Sequence, residues 1–502
     1  MAIKRYFATQ DNTITNAFKA NLRIRGTGSN MGASDILEAF VIHGQTSASI
    51  DADNAEQARI LIQFPVDAIV SDVTNGNVPS SSVEYRLKMF NAPHADSLPY
   101  EYPLKVAVVS GNFWTEGRGL DMNEYTDFGV CNWISSSEGI AWEHQGGDFF
   151  NSASVGDTAY SSSFYLSGGA EDLDVDVSFA IDLWRSDGAG TTSNFGFMIK
   201  HDDDIISGSS GSFFTKKFFG RTSEYFLKRP YIEARWDSSR KDQRGLSFIS
   251  SALAPPADNL NTVYLYNRIR GNLKDIPSLI GTDQIIYVSF FSGSNDDLPT
   301  GHRLHVLDTN GLVQQEITGG IVVENGVAQT GIYSCSFAIT SSLSTVHDVW
   351  HSGSIEYFTG SINLEGLTAS FVQYETQHIS DITNLKKSYV KGQKPVLRVY
   401  AREKNWNPNV YSVAASEPPS QIIEDAYWRL FRIVDNLEVV EYGTGSSNHT
   451  RMSYDVSGNY FEVDTNILDE GYAYGLQFVY QVNGQYVEQP EIFKFKVDEE
   501  PV

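Results

Sequence analysis

Gly471-Tyr-Ala-Tyr-Gly-Leu-Gln-Phe-Val-Tyr480 puts Tyr472, Tyr474, Leu476, Phe478 and Tyr480 at every second position. A strand turns successive side chains to opposite faces, so this spacing lines one face with five large groups. A helix would scatter the same residues around its circumference. The pattern recurs outward from here. Phe493, Phe495 and Val497 alternate with Lys494 and Lys496, and Tyr85, Leu87 and Met89 alternate with Glu84, Arg86 and Lys88. Leu173, Val175 and Val177 alternate with Asp172, Asp174 and Asp176; Ile232, Ala234 and Trp236 alternate with Glu233 and Arg235. Antiparallel sheets covering one side of a core need this arrangement. The intervals are rich in Gly, Ser, Asn and Asp, which supply turns. Only Ser178–Trp184 reads as a helix, with Ser178 as its cap and Phe179 and Leu183 facing inward. The fold class is all-β.

A chain of 502 residues is too long for one core and predicts three domains. Asp237-Ser-Ser-Arg-Lys-Asp-Gln-Arg-Gly245 is polar, follows a strand pattern and reads as an exposed linker, with the stiff Ala254-Pro-Pro-Ala-Asp258 beyond it. A second transition lies between Thr368 and Lys394. The expected domains are therefore 1–245, 246–375 and 376–502. In the last two, Gly331-Ile-Tyr333 and Gly458-Asn-Tyr460 each bring a Tyr into a strand after a Gly turn. That is the pattern of the tyrosine corner of immunoglobulin-like sandwiches, whose phenol bonds back to nearby backbone.

The net charge of −25 repels phosphate backbones and argues against nucleic acid as a partner. The two cysteines, Cys131 and Cys335, are too sparse for a disulfide framework or a Cys-x-x-Cys metal site, and are expected as buried, reduced thiols. No run of about 18 apolar residues suggests membrane insertion, and Met-Ala-Ile-Lys-Arg-Tyr-Phe at the start lacks a signal core. The expectation is a soluble chain folding in a reducing cytoplasm.

Gly26-Thr-Gly-Ser-Asn-Met-Gly32 has the glycines of a phosphate loop without its Lys and Ser/Thr ending, and reads as a turn-rich segment. His201-Asp-Asp-Asp204 and Asp296-Asp297 offer carboxylates for a structural calcium ion, but neither has EF-hand spacing, and no cofactor or metal ligand is assigned. Asp172, Asp174 and Asp176 line one strand face and call for a basic neighbour or an ion. No metal-binding His pair and no Gly-x-Ser-x-Gly elbow occurs, so no catalytic residue is assigned and the chain is expected not to be an enzyme. Exposed aromatics on a sandwich can stack on sugars. Trp114 and Trp142, in the least regular surroundings, are the glycan-binding candidates, whereas Trp184 and Trp236 read as core.

Asp11-Asn-Thr-Ile14, Arg59-Ile-Leu-Ile-Gln-Phe64, Val106-Ala-Val-Val109, Trp114-Thr-Glu116, Asp174-Val-Asp-Val-Ser178 and Asn194-Phe-Gly-Phe-Met-Ile199 follow one another in the order of the DNRLRE-type jelly-roll domains. These are relatives of carbohydrate-binding modules, and the resemblance covers about residues 5–236, with a longer insert at Gly117–Tyr160. Taken whole, the chain also resembles virion structural proteins of large contractile-tailed phages of marine bacteria. The segments that carry this include Arg5-Tyr-Phe-Ala-Thr9, Arg229-Pro-Tyr-Ile-Glu-Ala-Arg-Trp236, Asp348-Val-Trp-His-Ser-Gly353, Arg402-Glu-Lys-Asn-Trp-Asn-Pro408 and Met452-Ser-Tyr-Asp-Val-Ser-Gly-Asn-Tyr460. The resemblance implies a jelly roll followed by two immunoglobulin-like β-sandwiches. It also implies a multi-copy, non-enzymatic part of the tail, neck, baseplate or head surface, with other virion proteins and further copies of itself as partners. The alternative is an adhesin for a host surface glycan.

Overall fold

The computed structural model describes residues 2–43, 55–97, 100–121, 130–150, 154–155, 158–159, 161–186, 193–207, 213–251, 253–255, 258–293, 301–366, 377–406, 420–482 and 484–499. It is all-β and divides into two compact units, one from Ile3 to Trp236 and the other from Asp237 onward together with Ala2.

The first unit is a jelly-roll sandwich. One antiparallel sheet runs in the order Ile3–Phe7, Tyr231–Arg235, Glu84–Met89, Leu173–Asp176, so its first and last strands are neighbours. The other runs Ser161–Leu166, Tyr102–Val108, Phe197–His201, Glu56–Gln63, Ile36–Ile42, Phe213–Phe219, and Gln10–Thr15 also pairs with Glu56–Gln63. Tyr85, Leu87 and Met89 are fully buried and alternate with half-buried Glu84, Arg86 and Lys88, as their spacing requires. The like charges on Leu173–Asp176 find basic neighbours, since Asp174 lies 2.5 Å from both Arg86 Nε and Lys88 Nζ.

The central strand Glu56–Gln63 is buried on both faces. Its outer face is roofed by the segment after Val109, whose Trp114, Cys131, Trp133 and Trp142 pack with Ile14, Leu61, Val109 and Met198 into a second core. The helix Ser178–Ser186 forms, but Ala180, Ile181 and Trp184 face inward while Phe179 and Leu183 are half-buried. Ser178 Oγ accepts the Tyr85 N–H at 2.8 Å, tying the helix to the strand beside it. A second helix, Val66–Thr74, follows Pro65.

The second unit holds two sandwiches. One continuous sheet runs Ser247–Phe248, Ile355–Glu365, Thr345–Ser352, Ile286–Phe291, Ile317–Glu324, Val327–Phe337, Asn261–Tyr266. It folds around a core that includes Val263, Phe290, Tyr333, Phe337 and Trp350, and a register shift between Ile321 and Val323 lets one strand serve both halves. The last sandwich has one sheet of His378–Ile382, Val396–Glu403, Gly458–Glu462 and Ser453–Asp455. Its other sheet comprises Ser388–Val390, Phe493–Asp498, Ala473–Val482, Ala426–Arg432 and Glu438–Val440, with Gln485–Glu488 beside Ala473–Val482. Trp428 stacks on Phe461 across this core at 5.1 Å between centroids.

Three local expectations change. The stretch Asp237–Gly245 is a largely half-buried strap bonded into the second unit, not a free linker. Arg240 and Asp242 exchange backbone bonds with Tyr454 at 3.0 Å, while the Arg240 guanidinium reaches Glu324 and that of Arg244 grips Asp348 at 2.8 and 2.5 Å. Its polar residues were read as solvated, yet Arg240, Asp242, Gln243 and Arg244 find partners in the sandwiches. The tyrosine corner is made by Tyr474, whose hydroxyl accepts the Asp469 N–H and donates to Asp469 O, both at 2.8 Å. Tyr460 instead lies under the Arg398 guanidinium, and Tyr333 bonds the distant Ile276 N–H. Finally, Ala473–Val482 is covered on both faces: Gln477 and Val479 are also buried, Gln477 being held by Arg429 and by Gln489 O.

Candidate functional site

Trp114 and Trp142 offer no platform for a sugar. They are 1% and 5% exposed, and their indole N–H groups donate to Phe195 O at 2.8 Å and Asn132 O at 2.9 Å. Both lie in the second core, because the insert folds its aromatic residues down onto the sheet rather than out to solvent.

The glycine-rich stretch at Gly26–Gly32 belongs to the same roof. Asn30 is fully buried, its Nδ2 donates to Cys131 O at 2.7 Å, and its Oδ1 accepts from Gly32 and Gly119. A Cβ on Gly117 would lie 2.0 Å from Asn30 Oδ1, so that glycine is required by close packing and not by a phosphate.

The acidic run at 201–204 is also spoken for. His201 is buried between Tyr102 and Phe214, and burial pushes its imidazole down to about 4. Asp202 caps the short helix Asp203–Ile206, and Asp203 pairs with Lys200. Among the described residues, no three His, Cys, Asp or Glu side chains converge as metal ligands. Asp296 and Asp297 lie outside the described residues.

What the same sheet face does carry is a row of cations. Lys200 stands opposite Lys105 in the register, and Arg59 occupies the adjoining strand one position past the Ile60–Ile199 pair. Arg59 lies 4.9 Å over the Trp133 ring and donates to Gly146 O at 2.9 Å and Gln57 Oε1 at 3.2 Å, leaving its buried Nε without a partner. Lys200 Nζ sits 4.6 Å over Phe149. Burial pushes the Arg59 guanidinium down to about 10 and lowers the Lys200 ammonium. Asp203 is the carboxylate that answers all three, and they hold it below the usual range despite its partial burial. Arg59 and Lys200 are thus enclosed beneath Trp133, Gly146 and Phe149. Sequence reasoning missed this row. The available signal was a basic residue inside each of two apolar runs, Ala58-Arg-Ile-Leu-Ile62 and Phe197-Met-Ile-Lys200.

A second polar cluster links Gln10–Thr15 to the roof. Asp11 is fully buried and accepts the Arg221 backbone N–H at 2.6 Å, while its own N–H donates to Glu116 Oε1 at 2.8 Å. Arg221 forks onto Glu116 at 2.9 and 2.5 Å, and Asp11 Oδ1 has no hydrogen-bond partner. Burial, reinforced by the neighbouring Glu116 charge, pushes the Asp11 carboxyl up to about 7 against the pull of Arg221.

Comparison with protein-family models and with curated proteins finds no match. Among solved structures, the chain is similar to the adhesin InvE of Yersinia pseudotuberculosis, at 13% identity and a TM-score of 0.15 over 47% of this chain and 54% of that one. It is also similar to the tandem Ig repeats of Dlar, at 12% identity and a TM-score of 0.13 over 48% of this chain and 90% of that one. A chimeric titin Z1Z2 tandem matches at 13% identity and a TM-score of 0.15, over 43% and 84% of the two chains. The chain thus spans about half the length of the InvE structure. Likenesses this weak assign neither a family nor a function.

Proposed function

We propose that this chain is a structural component of a phage virion, present in many copies and without catalytic activity. The observation that supports it most is the strap at Asp237–Gly245, which bonds into both sandwiches of the second unit through Tyr454, Glu324 and Asp348. Sandwiches fastened through one strap, by ion pairs to one and backbone hydrogen bonds to the other, suit a part that transmits load, and less so a flexible display of binding modules. The segments that resemble virion proteins point the same way. Repetition on a symmetric particle would let small interfaces add through avidity. The test is proteomics and cryo-electron microscopy of purified particles, in which the chain is expected at many copies per particle, wedged between other proteins. Its absence from washed particles would sink the proposal.

A second reading, supported by the resemblance of residues 5–236 to relatives of carbohydrate-binding modules, is an adhesin for a host surface glycan. An array of host-surface saccharides tests it: a signal from the isolated chain would support it, and a blank array would count against it. Trp114→Ala should act on stability alone, costing about 3–5 kcal/mol as a lost core indole.

A further inference from the structure

Lys216, on the strand Phe213–Phe219, is fully buried. A buried lysine ordinarily meets a carboxylate, but this Nζ meets three carbonyl oxygens: Asn91 Oδ1 at 2.7 Å, Gly169 O at 2.8 Å and Glu171 O at 2.7 Å. The Phe218 ring lies 5.2 Å away. Desolvation pushes the ammonium down to about 8, against the opposing charges of Glu171 and then Asp172. About one-tenth of the amine is therefore neutral at pH 7, and a neutral amine is a nucleophile.

The carboxamide it touches is held and polarised. Asn91 N–H donates to Asp172 Oδ1 at 2.7 Å, fixing the backbone, and the Ala92 N–H bonds Lys217 O at 2.9 Å, holding the two chain segments side by side. His94 Nε2 lies 3.0 Å from both Asn91 Oδ1 and Gly169 O. Both are acceptors, so a proton on Nε2 serves either of them, while Nδ1 faces the Ala95 carbonyl at 2.7 Å. That N–H points at the oxygen where charge would develop if an amine added to Asn91 Cγ. Cγ is one carbonyl bond, about 1.23 Å, beyond the oxygen Lys216 already touches. Glu171 Oε2 is buried without a hydrogen-bond partner, leaving a carboxylate oxygen open to relay a proton.

We propose that Lys216 and Asn91 join through an amide between Nζ and Cγ, an intramolecular isopeptide bond. The neutral amine adds to Cγ, and the oxyanion at Oδ1 is stabilised by His94. The proton leaving Nζ passes by way of Glu171 to the amide nitrogen, and the C–N bond to that nitrogen breaks. One amide replaces another, one ammonia departs, and no oxidant, metal or nucleotide is consumed. Asn91 continues from the strand Glu84–Met89 of one sheet, whereas Lys216 belongs to the other sheet. The bond would therefore staple the two halves of the sandwich covalently, closing a loop with a sequence separation of 125 residues. Such a staple suits a part exposed to mechanical load.

Intact mass spectrometry of the denatured full chain, with tryptic mapping, tests this directly. The expected mass is about 17 Da below that encoded, the mass of ammonia, with one branched peptide joining the Asn91 and Lys216 segments. Asparagine can also lose ammonia by cyclising, most readily at Asn-Gly steps such as Asn75-Gly76 and Asn325-Gly326. Lys216→Ala separates the two, since it should restore the encoded mass, and Asn91→Ala should do the same. A wild-type mass at the encoded value, separate linear peptides, or a deficit that survives in Lys216→Ala would each overturn the proposal. None of these readings requires the variants to fold.

Discussion

Asp11→Asn is expected to make the first unit more stable above neutrality and to change little in acid. The wild-type carboxyl is raised from 3.8 to about 7 by burial first and by Glu116 second. At 1.36 kcal/mol per pH decade, holding it ionised in the folded state costs about 4 kcal/mol. The folded value lies above the unfolded one, so the contribution is fully present below pH ~4 and lost as pH rises through about 7. Asn keeps an acceptor for the Arg221 N–H and cannot ionise. Glu233 acts in the opposite sense, since Arg5 and Arg235 overcome its burial and hold it down to about 2, but its window lies in stronger acid and is common to both proteins. The variant should therefore melt within about 1–2 °C of wild type at pH 4.5 and about 10 °C above it at pH 8.5. Calorimetry of the full chain across that range, following the transition of the first unit, is the assay. A difference that stays flat with pH, or that widens toward acid, would refute the reasoning.

Arg244→Ala should cost about 3–5 kcal/mol in the second unit by calorimetry, because among the described residues it leaves the fully buried Asp348 with Trp350 Nε1 as its hydrogen-bond partner. A loss under 1 kcal/mol would mean the strap is ornamental. Cys131 and Cys335 are both free and buried, with thiols pushed well above their usual range, so a thiol reagent should label neither in the native chain and both in denaturant. Limited proteolysis should spare Arg240–Leu246, whose backbone is tied to Tyr454, and a first cut inside that stretch would contradict the bonding described here.

The strand content was legible because a period of two is a local property. Tyr85, Leu87 and Met89 need only their own spacing to declare a buried face, and Asp174 among like charges advertised a basic neighbour that Arg86 and Lys88 supply. Contacts between distant segments left no such trace. The same Trp-x-Glu context is compatible with an exposed ring or a buried one, and what buries Trp114 is an insert folding onto Leu61 and Met198. Asp237–Gly245 has a linker's composition, yet Glu324, Asp348 and Tyr454 turn its charges inward. Lys216 and Asn91 are both ordinary surface residue types, and only the meeting of two sheets brings them within 2.7 Å in a desolvated space. Periodicity reports which side of a strand faces a core. Which residues share that core, and what chemistry their proximity permits, depends on chain closure over a hundred residues or more, which no local pattern encodes.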